Sequence, residues 1–268
     1  MKFISFSSGS SGNCYFIGSE GPDGRNHGLL IDAGVSLRRL KCYLADLGMD
    51  FGCISGILVT HDHLDHIRHL GAYCKHLQIP VWATPELHIA LARHTFTRDW
   101  IDGCRNVLSN GQNLIGDFAV SYFQVPHDAT QTVGFCIEHD GHRYVHITDC
   151  GHMTGEAEKM CRLADTLVIE SNYDLPMLLT GPYPEELRQR IRNGHGHMSN
   201  DDCAETLQRI WHPGLRYIFL CHLSENNNTP DLVWSTSSEA LSQVKGFDVS
   251  KTSLRCLPRR QPSPLFTL

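Results

Sequence analysis

The chain has 268 residues, 41% hydrophobic and 19% charged, the mixture of an ordinary soluble globular protein and enough to bury a substantial core. Its formal net charge is −6, so no global positive field draws in nucleic acid, and such a substrate would need a local basic patch and bound metal. No stretch reaches the ~18 apolar residues of a membrane span, and Met1–Phe6 is too short an apolar run for an export signal. The eleven cysteines contain no CxxC pair and read as reduced, mostly buried thiols, which points to the cytoplasm.

Two apolar runs, Lys2–Phe6 and Cys14–Ile17, flank the Ser/Gly-rich loop Ser7–Asn13 and read as a hairpin-like pair joined by a plain turn. Gly28–Ala33 is a buried strand ending at Gly34. Ser36 then caps a helix to about Gly48, with Leu37, Leu40, Leu44 and Leu47 at helical spacing. A second buried strand, Ile54–Thr60, runs straight into a cluster of histidines. Val81–Ala83 is a short strand, followed by a helix over Pro85–Arg93 capped by Thr84. Mid-chain the pattern is β-rich, with strands at Ala119–Val125, Val133–Glu138 and Arg143–Thr148 and a hairpin turn at Asp140-Gly141. The strand Thr166–Glu170 precedes helices from about Pro184 and Ser199, and the strand Tyr217–Cys221 precedes a last helix entered through Thr229-Pro230. No repeat or linker divides the chain apart from a Pro/Arg-rich tail after Leu257, so residues 1–268 read as one domain.

Histidine is in excess, at 17 residues, and histidine is the commonest metal ligand. The densest cluster is Thr60-His61-Asp62-His63-Leu64-Asp65-His66, directly after a buried strand. So many potential ligands in six residues do not all point inward from a strand or a helix. On a tight strand-to-helix loop, His61 and His63 can converge on one ion while Asp65 and His66 face another. Imidazole nitrogen and carboxylate oxygen suit zinc, manganese or iron. Asp62 reads as a solvated position of the loop, and His69, His142, His146, His152 and His195 carry no assigned role.

HxHxDH after a strand resembles the defining loop of the metallo-β-lactamase superfamily. That resemblance implies an α/β fold, an αββα sandwich of two mixed β-sheets flanked by helices, with two divalent metal ions. Further ligands are then expected singly at strand ends, and His127, Asp149 and His222 each come just after an apolar strand. By the resemblance one metal takes His61, His63 and His127, the other takes Asp65, His66 and His222, and Asp149 bridges them. The pair would hold a hydroxide as nucleophile, oriented by Asp65.

The scaffold also hydrolyses lactams, lactones and thioesters, so two further segments bear on the bond cleaved. Glu170 after a strand and His197 just before a helix resemble the pair of the RNase Z branch, in which the histidine protonates the leaving oxygen and the glutamate orients it. The Ser/Gly loop Ser7–Asn13, Leu29–Gly34, the stretch Glu170–Asn200 and His222–Pro230 together resemble the YycJ/WalJ group. Members of that group are described as DNA exonucleases acting from the 5′ end, which implies a nucleic-acid substrate, DNA favoured, and no membrane. About twenty residues separate Asp149 from Glu170, too few for the β-CASP insertion of RNase J-type nucleases. Two other classes stay open: a small-molecule hydrolase of this fold, cleaving a cyclic phosphodiester, lactone or thioester, and a catalytically silent metal-binding protein.

Overall fold

The computed structural model describes residues 1–21 and 24–268. In chain order the strands are β1 (Lys2–Ser7), β2 (Cys14–Glu20), β3 (Asn26–Ile31), β4 (Ile54–Leu58), β5 (Val81–Ala83), β6 (Arg105–Val107), β7 (Asn113–Ile115), β8 (Phe118–Gln124), β9 (Val133–His139), β10 (His142–Ile147), β11 (Thr166–Glu170), β12 (Tyr217–Cys221), β13 (Ser253–Cys256) and β14 (Phe266–Thr267). The helices are α1 (Leu37–Asp46), α2 (Leu64–Ile67), α3 (Leu70–Leu77), α4 (Pro85–Leu91), α5 (Gly155–Cys161), α6 (Leu175–Thr180), α7 (Glu185–Arg192), α8 (Asn200–Ile210) and α9 (Pro230–Ser242). The chain forms two compact units, one of residues 1–121, 129–131 and 258–268 and one of residues 122–128 and 132–257.

The first unit is built on a seven-stranded mixed sheet in the order β14-β1-β2-β3-β4-β5-β6. Its pairs from β14 to β3 are antiparallel and those from β3 to β6 parallel. Strands β1, β2 and β3 are buried over consecutive residues instead of alternating, as strands covered on both faces are. The Pro/Arg-rich tail after Leu257 belongs to this unit. It returns to pair Phe266 with Phe3, and Ser263 exchanges hydrogen bonds with Ser5. Its prolines rule out a long strand, but two paired residues suffice to edge the sheet.

The second sheet, also seven-stranded, runs β13-β12-β11-β10-β9-β8-β7. Asp140 (φ 49°) and Gly141 (φ 74°) turn the β9–β10 hairpin, both in the left-handed region that a tight two-residue turn requires. From β10 to β13 the pairs are parallel. Val145, Ile147, Leu167, Ile169, Ile218 and Leu220 of these strands bury against Cys161 of α5, Leu207 of α8 and Val233 of α9 in one apolar core. The caps read from sequence are present: the side chains of Ser36, Thr84, Ser199 and Thr229 each accept a backbone N–H of the first helical turn. Ten of the eleven cysteines are buried or half-buried and all are free thiols, as expected. Among the described residues no helix is long and apolar enough to cross a membrane.

Candidate metal centre

Three residues that follow strands hold left-handed backbone: Asp32 after β3 (φ 61°), Asp149 after β10 (φ 51°) and His222 after β12 (φ 53°). Few non-glycine residues adopt that conformation, and it persists only where surrounding contacts enforce it, most often at functional sites. Here it turns a side chain out of the strand end, and each of the three is buried.

In the first unit the histidine loop leaves β4 and enters α2, with His61 and His66 fully buried. The rings converge: His61 lies 4.0 Å from His66 and 4.8 Å from His63, centroid to centroid. Asp32 organises them. Its Oδ2 accepts the Nδ1–H of His66 at 2.6 Å and the hydroxyl of Thr60 at 2.8 Å, and its Oδ1 accepts the Thr60 N–H at 2.9 Å. With its own proton directed at Asp32, the Thr60 oxygen accepts the Nδ1–H of His61 at 3.0 Å. Both imidazoles are therefore protonated at Nδ1 and turn an Nε2 lone pair outward, the tautomer a metal requires.

Asn13 completes this half. Its Nδ2 donates to Nε2 of His66 (2.9 Å) and Oδ2 of Asp65 (3.1 Å), two electron-rich atoms that converge on one donor. The Ser7–Asn13 loop is thus more than a turn: Asn13 N–H donates to the carbonyl of Asp65, and Gly34 N–H donates to the carbonyl of Asn13. A Cβ at Gly34 would lie 2.0 Å from the Asp65 carbonyl oxygen, so only glycine lets the three loops close. Asp62, expected in solvent, instead accepts the backbone N–H and hydroxyl of Thr130, which anchors the histidine loop. A carboxylate beside a serviceable donor exchanges water for that donor at little cost.

In the second unit His127 follows β8, and its Nδ1–H donates to the Gly196 carbonyl at 2.6 Å, again leaving Nε2 as the lone-pair nitrogen. Burial holds its pKa below 6.5 against the pull of Asp149, which keeps the neutral ligand form. Asp149 Oδ2 accepts the Thr148 hydroxyl, and its Oδ1 lies 3.2 Å from Nδ1 of His222 and 3.8 Å from Nε2 of His127. Asp149, Glu170, His197 and His222 present donor atoms that all lie within 4.8 Å of one another.

Glu170, fully buried at the end of β11, is the centre of this half. Oε1 accepts the Nδ1–H of His197 at 2.8 Å and that of His222 at 2.9 Å, while Oε2 accepts the backbone N–H of Cys150 (2.9 Å) and Met198 (3.1 Å). Burial alone would raise its pKa; the two imidazoles outweigh burial and hold it at about 2. Burial pulls the His197 pKa down, but Glu170 and then Asp149 outweigh it and raise the pKa above 6.5. The Cys150 and Cys221 thiols are pushed well up by burial and by Glu170, so neither offers a thiolate.

The structure brings His61, His63, Asp65 and His66 together in one unit and His127, Asp149, Glu170, His197 and His222 together in the other. Neutral imidazoles fixed at Nδ1 beside anionic carboxylates are a donor set that fits a divalent metal. Sequence reasoning missed Asp32, Thr60 and Asn13, which act on the histidines without being candidates themselves. Of the unassigned histidines, His146 bonds the hydroxyl of Tyr144, His142 bonds Thr166, and His152 bonds the Gly194 carbonyl and meets His195 edge-on at 6.2 Å.

Sheets of this order, with histidines and carboxylates at their strand ends, define a metal-dependent hydrolase of the metallo-β-lactamase fold. Residues 27–222 match the family described as the Beta-lactamase superfamily domain, and the chain belongs to that superfamily and, within it, to the YycJ/WalJ group. It is 31% identical over 252 residues to exodeoxyribonuclease YycJ of Bacillus anthracis, covering 94% of this chain and 92% of that one. It is 29% identical over 245 residues to exodeoxyribonuclease WalJ of Streptococcus pneumoniae, covering 91% and 89%. The metallo-β-lactamase fold protein YhfI of Bacillus subtilis shares the fold, with TM-score 0.68, 17% identity and 98% coverage of each chain.

Proposed function

We propose that the protein is a binuclear phosphodiesterase that degrades DNA from the 5′ end, its two units working as one catalytic domain without a β-CASP insertion. One ion would be held by His61, His63 and His127, the other by Asp65, His66 and His222, with Asp149 shared between them. When bound, the ions supply an activated water and neutralise charge on the phosphoryl oxygens. Zinc, manganese and iron all suit the donors.

The observation that carries the reading is the pair of bonds at Glu170 Oε1, one to His197 and one to His222. It sets an imidazole with a raised pKa beside a ligand imidazole, as a proton donor next to a metal must be. As the P–O bond breaks, His197 passes a proton to the departing alkoxide, and Glu170 holds the ring through Nδ1 and favours its charged form. A thioester hydrolase has no such need, because a thiolate departs readily without an acid. Asp65 orients the attacking water. The relatives named exodeoxyribonucleases support DNA as the substrate.

The test is turnover by metal-loaded protein of DNA and RNA labelled at either end, of bis(p-nitrophenyl) phosphate, and of a thioester and a lactone. Mononucleotides released first from the 5′ end of DNA are expected. Faster turnover of the thioester or lactone would replace this reading with that of a small-molecule hydrolase.

A further inference from the structure

At the opposite end of β12 from His222 lies a cavity of about 530 Å³, within the second unit. Its lining includes Arg216, Lys251 and Arg255 together with Tyr217, Trp234 and Phe247, and among the described residues it includes no carboxylate. For a chain of net charge −6 this is a local concentration of positive charge. Carboxylates stand behind two of the cations, Asp165 at 3.8 Å from Arg216 and Asp248 at 3.5 Å from Lys251, while Arg255 has Ser253 Oγ at 3.3 Å. The cations remain accessible: the Arg216 and Lys251 side chains are 53% and 78% exposed.

The aromatic residues differ in what they offer. Phe247 is packed edge-on against Trp211, and Tyr217 stacks on Phe219, so both form the floor. Trp234 does not. Helix α9 buries Val233, Ser237 and Leu241 at four-residue spacing, which leaves Trp234 on its flank, 49% exposed at the cavity. A half-exposed indole among guanidinium and ammonium groups matches a nucleobase joined to a phosphate: the flat ring takes the base and the cations take the backbone.

We propose that this cavity is a distal grip for single-stranded DNA, binding nucleotides of the strand that have not yet reached the metal centre; this rests on the nuclease reading. Arg255 stands opposite Phe219, about 10 Å along the strand direction from His222, and Tyr217 at the start of the five-residue β12 is about 17 Å from it. A mononucleotide does not reach across that distance, but a strand does. An enzyme working inward from an end needs a hold on the part it has not cut, and bases in a single strand are open to stacking where those of a duplex are not.

The test is fluorescence anisotropy of metal-loaded protein with a labelled, phosphorothioate-protected 20-nucleotide single strand and with the duplex of the same sequence. Trp234→Ala should weaken single-strand binding roughly tenfold and Trp234→Phe should largely restore it, as stacking requires. Lys251→Ala with Arg255→Ala should weaken binding and lower the log–log salt slope by about 0.7 per lost phosphate contact. Turnover of bis(p-nitrophenyl) phosphate and metal content should stay at wild-type values in all of these. The grip is overturned if the variants bind the single strand like wild type, or if wild type prefers the duplex. If wild type degrades DNA while the variants bind normally, only the grip fails; if wild type neither binds nor degrades DNA, the nuclease reading fails and takes the grip with it.

Discussion

The Gly196 carbonyl oxygen accepts the Nδ1–H of His127 at 2.6 Å, which ties a proposed metal ligand to the residue just before the proposed general acid, His197. The tie is tensioned by α7: His197 N–H donates to the Ile191 carbonyl, and a Cβ on Gly196 would fall 2.2 Å from the carbonyl oxygens of Arg190 and Ile191. Gly196→Ala should therefore displace the acid and the ligand together. Loss of an outer partner of a ligand histidine costs about 10–100-fold in metal affinity or activity. Metal titration and kinetics should both show it, and a variant normal in both would remove the link.

Asp32 is the corresponding outer residue of the other half. Asp32→Ala leaves the His66 Nδ1–H, the Thr60 N–H and the Thr60 hydroxyl without their acceptor in a fully buried place. Each such buried group costs about 1–3 kcal/mol. Urea denaturation should register a loss of that order or more, and metal affinity should fall with it. Unchanged metal affinity would mean that the His66 tautomer is set by something other than Asp32.

The local chemistry was legible in the sequence and the distant contacts were not. The caps at Ser36, Thr84, Ser199 and Thr229 and the His61–His66 loop are each set by neighbours within a few residues, so composition and spacing disclose them. The partners that orient the histidines are far away in the chain: 34 residues from Asp32 to His66, 53 from Asn13 to His66 and 69 from His127 to Gly196. Only the fold joins them. Short edge strands were missed for the same reason, since Phe266–Thr267 is a strand solely because Lys2-Phe3 lies beside it.

Removal of Asp149 tests the number of ions. As the ligand proposed to be common to both, Asp149→Ala should lower metal content from two ions per chain towards none, while a ligand of one ion alone, such as His63→Ala, should leave close to one. Elemental analysis after dialysis distinguishes these outcomes. A wild-type protein that saturates at one ion would refute the binuclear assignment.

Stability should fall in mild acid through His142. Burial lowers its pKa from 6.5 to about 4, and Arg216, which can only donate, bonds its Nδ1 at 3.1 Å, so the native ring is neutral and donates from Nε2 to Thr166. Between pH 4 and 6.5 the unfolded chain binds the extra proton and the native state does not. The stabilisation is thus complete above about pH 6.5 and lost progressively down to about pH 4. His142→Gln should show a shallower fall in Tm over that interval; parallel curves for the two proteins would rule out His142 as the source.

The sharpest test of the reaction compares His197 with Glu170. If His197 is the acid, His197→Ala should keep both metals and lose roughly 10²–10⁴-fold on DNA. The loss should be much smaller on bis(p-nitrophenyl) phosphate, whose p-nitrophenolate departs without a proton. Activity on DNA should also fall as pH rises through the His197 pKa, which Glu170 and Asp149 raise against burial, because only the protonated ring donates. Glu170 should behave differently, since its Oε1 serves His222 as well as His197. Glu170→Gln weakens the hold on the proposed metal ligand His222 and on the proposed acid His197 at once, so it should depress both substrates and lower metal affinity, besides moving the alkaline limb to lower pH. The decisive measurement is the ratio of DNA to bis(p-nitrophenyl) phosphate turnover in each variant. Equal losses on both substrates for His197→Ala, or loss of a metal ion, would falsify its role as the acid.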